Sequence, residues 1–201
     1  MKKVLFTACV LFSALCLTSC EDEELSKSTY ALQESASVVK WKGYSQVLYH
    51  DGSFQVQSQD IQVVDGKVTS GTFTIPIATI ANFDLPDEVK PMLLEHLKSP
   101  DFFNLALHPT ASFRITKVQP LATASEGANN TVTGDFTMLG QTHPLSFPAN
   151  IRLQGSNLKL EASFKLDRTK WGMTYAADPA LGEHHILPEV DIHFDLTASR
   201  K

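Results

Sequence analysis

From about residue 36 onward the hydrophobic positions recur every second residue. Leu158, Leu160, Ala162, Phe164 and Leu166 alternate with Lys159, Glu161, Ser163 and Lys165, and Val190, Ile192, Phe194 and Leu196 alternate with Asp191, His193 and Asp195. Val132, Phe136 and Met138 form a row that Gly134 completes, and Leu145, Phe147, Ala149 and Ile151 form another. A period of two puts one set of side chains on one face, so these segments are strands with one face buried and one wet. Antiparallel sheets are built from such strands, whereas parallel strands read as continuous apolar runs. The pattern predicts eight strands, at 38–43, 53–64, 67–77, 111–118, 130–138, 144–153, 158–166 and 189–198. Eight one-sided strands predict an all-β fold, an antiparallel sheet closed into a barrel with no exposed edge.

The punctuation agrees. Asp51-Gly52 and Asp65-Gly66 are hairpin signals, and Gly140-Gln141 and Gly155-Ser156-Asn157 mark two more turns. Across 55–62 the alternation blurs, which predicts a bulge. Two connections are long. In 82–103, Asp84 is a candidate N-cap and Pro86 suits a first turn, while Leu85, Val89, Met92, Leu93 and Leu97 share one helical face. This predicts one amphipathic helix capping a barrel mouth, with Pro91 disturbing its start. The other, 167–188, contains Gly172, Pro179, Gly182 and Pro188, and long loops of this kind are functional or disordered.

The first residues read as a processing signal rather than fold. Lys2 and Lys3 precede an apolar run from Val4 to Leu17, shorter than the ~20 residues a comfortable membrane span needs. The run ends in Leu17-Thr18-Ser19-Cys20, which resembles the lipobox of bacterial lipoproteins; that resemblance implies cleavage before Cys20 and acylation of its thiol. Glu21-Asp22-Glu23-Glu24 resembles a surface-export signal of such lipoproteins and equally suits a solvated linker. The expected organisation is a signal peptide at 1–19, a lipidated cysteine and flexible tether at 20–35, and a barrel domain at 36–201. The implied location is the cell envelope, lipid-anchored, at the periplasmic face of the outer membrane or exported to the surface.

Composition narrows the chemistry. The 22 acids outnumber the 17 bases, and losing Lys2 and Lys3 with a leader takes the charge from −5 to −7, which argues against a nucleic-acid partner. All three cysteines lie within the first 20 residues, so the domain has neither an internal disulfide nor a thiolate metal site. The seven histidines are scattered apart from His184-His185, with no ligand spacing that completes a metal site. No nucleophile elbow, phosphate loop, dinucleotide fingerprint or zinc-protease motif is present, so the chain is not expected to be an enzyme.

Several separated elements carry a family resemblance. Gly71-Thr72-Phe73-Thr74-Ile75 is followed by His96-Leu97-Lys98-Ser99-Pro100-Asp101-Phe102-Phe103, then by Pro109-Thr110-Ala111-Ser112-Phe113. Thr133-Gly134-Asp135-Phe136-Thr137-Met138-Leu139-Gly140 runs into His143-Pro144-Leu145, and Asp167-Arg168-Thr169-Lys170-Trp171-Gly172-Met173 comes last. In order and approximate spacing these resemble the YceI-like, or polyisoprenoid-binding, family over roughly 38–198. Trp41-Lys42-Gly43 and His50-Asp51-Gly52 resemble its lipoprotein-associated branch.

The resemblance implies a lipocalin-like barrel that binds an apolar lipid, a quinone tail or polyprenyl chain, and needs no cofactor beyond that ligand. Some members resemble dimers, so a homodimer is compatible, although no seam is readable. Ten residues are candidates for lining the interior: Trp41, Phe54, Phe73, Phe113, Phe136, Phe147, Phe164, Trp171, Met173 and Phe194. Arg168 is the candidate head-group contact, or an ordinary fold-stabilising ion pair. Alternation cannot separate a lined tunnel from a solid core. An envelope interaction module with a filled barrel therefore remains open, and so does an enzyme acting on a lipid head group.

Overall fold

The computed structural model describes residues 25–125 and 127–201; the expected signal peptide and Cys20 lie outside them. Among the described residues thirteen strands, all paired antiparallel, make up one sheet. They are β1 (Lys27–Leu32), β2 (Val38–Tyr44), β3 (Tyr49–Phe54), β4 (Gln57–Ser58), β5 (Ile61–Val64), β6 (Lys67–Ser70) and β7 (Thr72–Pro76). Then come β8 (Ala81–Asn82), β9 (Thr110–Ser125), β10 (Ala128–Met138), β11 (Gln141–Gln154), β12 (Asn157–Asp167) and β13 (Glu189–Arg200). The single α-helix of the described residues, α1, spans Lys90–Lys98.

The short segments line up into interrupted staves. β2 and β1 lie end to end along β13, through Trp41↔Ile192 and Tyr30↔Arg200. β3 and β5 pair with them through Trp41↔Gly52 and Tyr30↔Ile61. β8, β7 and β6 pair in turn with β3, β4 and β5, and β7 returns to β9 through Phe73↔Phe113. From β9 to β13 each strand pairs with the next, so the sheet closes on itself as eight staves. The expected antiparallel barrel with one small helix is the fold.

Several boundaries differ from expectation. The tether predicted for 20–35 contains β1: Tyr30 is fully buried and its strand bridges β13 and β5. The polar composition of this stretch hid an inward face of only two residues, Tyr30 and the partly buried Leu32. The strand expected at 53–64 breaks into three pieces and that at 67–77 into two, because the wall bends where the alternation blurs. Asp51-Gly52 is not a turn. It lies inside β3, where a Cβ on Gly52 would stand 1.8 Å from the Ala81 carbonyl oxygen, so the glycine admits a close backbone approach. The β2–β3 turn is Ser45–Leu48 instead, with the Ser45 hydroxyl accepting from the Val47 and Leu48 amides. Asp65-Gly66 is a hairpin turn, with φ of 47° and 71°, the left-handed pair that a two-residue turn demands.

The helix is shorter than expected, with Pro91 in its first turn. Asp84 does not cap it. Its carboxylate accepts from the Asp51 amide at 2.9 Å and contacts His50 Nδ1 at 2.8 Å, tying the connection to β3. Leu93 and Leu97 face inward, while Met92, expected on the same face, is 70% exposed.

Candidate ligand-binding cavity

The barrel interior is not uniform along its axis. Toward the end carrying the Asp65-Gly66 and Gly155-Ser156 turns, Tyr30, Ile61, Val63, Leu158 and Ala198 are buried to within 2% of complete, and none of them borders the cavity. This end is solid. Toward the other end lies a cavity of about 400 Å³, walled almost entirely by carbon. Val132, Ala149, Leu160 and Leu196 lie deepest along their strands, and Leu93, His96 and Leu97 of α1 contribute at the opposite extreme. Leu48 of the β2–β3 turn and Met173, Ile186 and Leu187 of the 168–188 segment complete that end.

Nine of the ten expected lining residues border this one space: Trp41, Phe54, Phe73, Phe113, Phe136, Phe147, Phe164, Met173 and Phe194. Alternation explains the eight aromatic residues, which stand at inward positions of their strands, whereas Met173 enters from the 168–188 segment. Phe147 stacks on Phe164 at 4.5 Å and 5°, and meets Phe113 at 5.3 Å and Phe194 edge-on at 5.4 Å. The rings support one another as a wall and leave the axis clear. Gly134 makes room for it: a Cβ there would stand 2.5 Å from Phe113 Cζ. The Trp41 indole N–H is buried without a hydrogen-bond partner among the described residues.

Trp171 is the exception. It is buried but lies outside the cavity lining, because its indole N–H donates to the Phe136 carbonyl at 3.0 Å and its ring packs edge-on against Phe136 and His143. It pins the 168–188 segment to the barrel rim. Tyr175 packs on His96 at 5.0 Å and on Phe102 at 5.3 Å, joining the same segment to the helix end.

Arg168 is 3% exposed and borders the cavity. The ion pair with an acid that one reading expected is absent among the described residues. The guanidinium instead donates to four main-chain carbonyls, of Met173 (2.6 Å), Ile186 (2.9 Å), Tyr175 (3.0 Å) and Leu187 (3.2 Å). It therefore gathers both ends of the long segment around itself. Burial pushes its pKa down from the usual arginine range, and the neighbouring Asp167 charge opposes that shift.

Two further groups at this end are perturbed. The Tyr44 hydroxyl, which donates to Asp191 at 2.6 Å, is held above the usual phenol range by that bond. Burial pushes Asp84 up, but the Asp51 amide, His50 and Asn82 outweigh it and hold the carboxyl below its ordinary range. Among the described residues no three acids, histidines or cysteines converge as metal ligands. Sequence reasoning overlooked His96, Phe102, Phe103 and Ile80 as lining residues. The i, i+3, i+4 spacing of Leu93, His96 and Leu97 is the signal that marks the helical part of this set.

The YceI-like domain model matches residues 30–198, from β1 into β13. The chain belongs to the YceI-like family. A UPF0312 protein of Pseudomonas paraeruginosa is 28% identical over 147 residues, covering 70% of this chain and 69% of its own. Among solved structures, Burkholderia cenocepacia BcnA superposes with a TM-score of 0.67 at 20% identity, over 84% of this chain and 99% of its own. A polyisoprenoid binding domain from Saccharophagus degradans gives 0.63 at 12% identity, over 86% and 98%. At such identities these structures share a fold with this YceI-like chain.

Proposed function

We propose that this YceI-like protein holds the apolar chain of an isoprenoid-type lipid, a quinone tail or a polyprenyl group, in the hollow part of its barrel. The observation that carries the reading is the cavity of about 400 Å³, apolar throughout its depth and closed at one end by solid core. Its size falls in the range of roughly 300–1,000 Å³ typical of small-molecule sites. Each methylene transferred from water contributes about 0.8 kcal/mol, so a chain binds there without polar contacts. The Saccharophagus degradans neighbour is described as polyisoprenoid binding, in keeping with this reading. The hollow interior favours it over a filled interaction module, and the work asked of the site is binding rather than catalysis.

The same reading makes the protein a lipoprotein of the cell envelope, acylated at Cys20. Ser26 is fixed at the solid end, where its amide donates to Asp65 at 2.8 Å. Six peptide steps from Cys20 to Ser26 reach at most about 20 Å. An acyl anchor would thus hold the solid end and leave the open end toward a donor or acceptor of lipid. The test is solvent extraction and mass spectrometry of the protein purified from its own envelope, followed by uptake assays with polyprenols and quinones. A lipid carrying a long unsaturated chain, near one per protein, is expected. A barrel that emerges empty and takes up neither class overturns the reading.

A further inference from the structure

The open end contains a feature that a site for hydrocarbon alone does not need. Arg168 is a cation almost wholly removed from water, at the edge of an apolar cavity. Burying a charge is costly unless it is paired. Its four carbonyl partners offset part of that cost as dipoles and cancel none of the net charge. No carboxylate among the described residues stands within ion-pair distance of it, and Asp167, the one whose charge acts on it, turns its hydrogen bonds to Thr169. Asp101 pairs with His96, Asp84 with His50, and Asp191 accepts from Tyr44. A guanidinium carries five N–H donors. Four are used, and the fifth, on Nη1, has no acceptor among the described residues. The Phe102 ring lies 6.0 Å from the guanidinium carbon, so the group is walled by ring and backbone.

We infer that Arg168 selects the head group: the cavity takes single-chain lipids ending in a carboxylate or phosphate in preference to neutral or cationic lipids of the same length. The inference rests on the lipid-binding reading and adds to it the charge class of the ligand. In a low-dielectric wall a cation without an ion-pair partner favours an anion arriving on an apolar chain more than it would in water, because little solvent screens the pair. The carbonyl fan fixes the guanidinium in advance, so little side-chain entropy is lost on binding.

The test uses residues 21–201, which contain every strand of the closed sheet, and titrates hexadecanoate, hexadecan-1-ol and hexadecylamine by calorimetry at pH 8. A charge-assisted contact predicts hexadecanoate at least about tenfold tighter than the alcohol, with the amine weakest. Equal affinities, or the amine binding best, overturn the inference and leave the hydrocarbon reading standing. Failure of all three to bind while farnesol is taken up overturns the inference alone, and failure of farnesol as well overturns both. Acetate and inorganic phosphate separate a lipid head group from a free anion: neither should bind without a chain, and saturable binding of either overturns the lipid assignment. In Arg168→Gln protein that still unfolds cooperatively, the preference for hexadecanoate over the alcohol should fall to about one. A preference unchanged in that variant contradicts the assignment, and the wild-type series decides the matter if the variant does not fold.

Discussion

At the solid end of the barrel the connections are two residues long and the interior is filled. Asp65-Gly66 and Gly155-Ser156 turn the chain at once, and Tyr30, Ile61, Val63 and Leu158 interlock behind them. At the open end the chain spends more than thirty residues between β7 and β9 and about twenty between β12 and β13. There the walls stand around a space, and the connections are held by polar fastenings such as Arg168, Asp84 and the Trp171 indole. Within one sheet, then, stability is concentrated where side chains fill the interior. The end with the ligand-sized space is tied by hydrogen bonds that carry less free energy each.

Substitution can break that contrast. Tyr30→Ala removes a fully buried ring and leaves a void in close-packed core, so a loss of about 3–5 kcal/mol is expected in chemical denaturation. Phe194→Ala, a ring already facing empty space, should lose roughly 2 kcal/mol, the transfer part without a new void. If the two losses match, the interior is packed alike along its length.

Arg168→Gln leaves buried carbonyls unsatisfied and should cost on the order of 2–3 kcal/mol. The sharper sign is local: hydrogen exchange should accelerate across 168–188 while β1 and β5 stay protected. Uniform acceleration would mean that the two ends unfold as one unit.

Asp84→Asn weakens the tie between β3 and the helix connection, and a loss of about 1–2 kcal/mol is expected. The folded carboxyl titrates below its ordinary range, so its contribution is complete above that range and fades as pH falls through the lowered value. The difference between wild type and Asp84→Asn should accordingly hold steady down to the ordinary carboxylate range and shrink in stronger acid. A difference that instead grows with acid would reverse the assigned direction. Met92→Lys, on the exposed side of α1, should change stability by no more than about 0.5 kcal/mol, measured by thermal unfolding.

The same contrast explains what the sequence made legible. Five long strands from β9 to β13 were readable because alternation is strict where one face is buried and one is wet, as in Leu158 to Leu166. Inward alternation likewise brought eight aromatic side chains to one space, and Met173 reaches it from the 168–188 segment. β1 was missed because only Tyr30 and the partly buried Leu32 carry its inward face, too short a row to show as alternation. Asp51-Gly52 misled because a glycine serving a close strand approach looks like one serving a turn. Trp171 misled because a rim residue fastened through its N–H has the same composition signal as a lining residue. Whether the barrel was hollow could not be read at all, since filled and empty interiors present the same inward rows.

The hollow end is therefore the central claim, and a crystal structure of residues 21–201 saturated with farnesol tests it most directly. The account predicts continuous chain density entering beside α1 and ending above Val132, Ala149 and Leu196, with Tyr30 and Leu158 packed as before. Rings of Phe113, Phe147, Phe164 and Phe194 collapsed across the axis, with farnesol outside the barrel or absent, would contradict it.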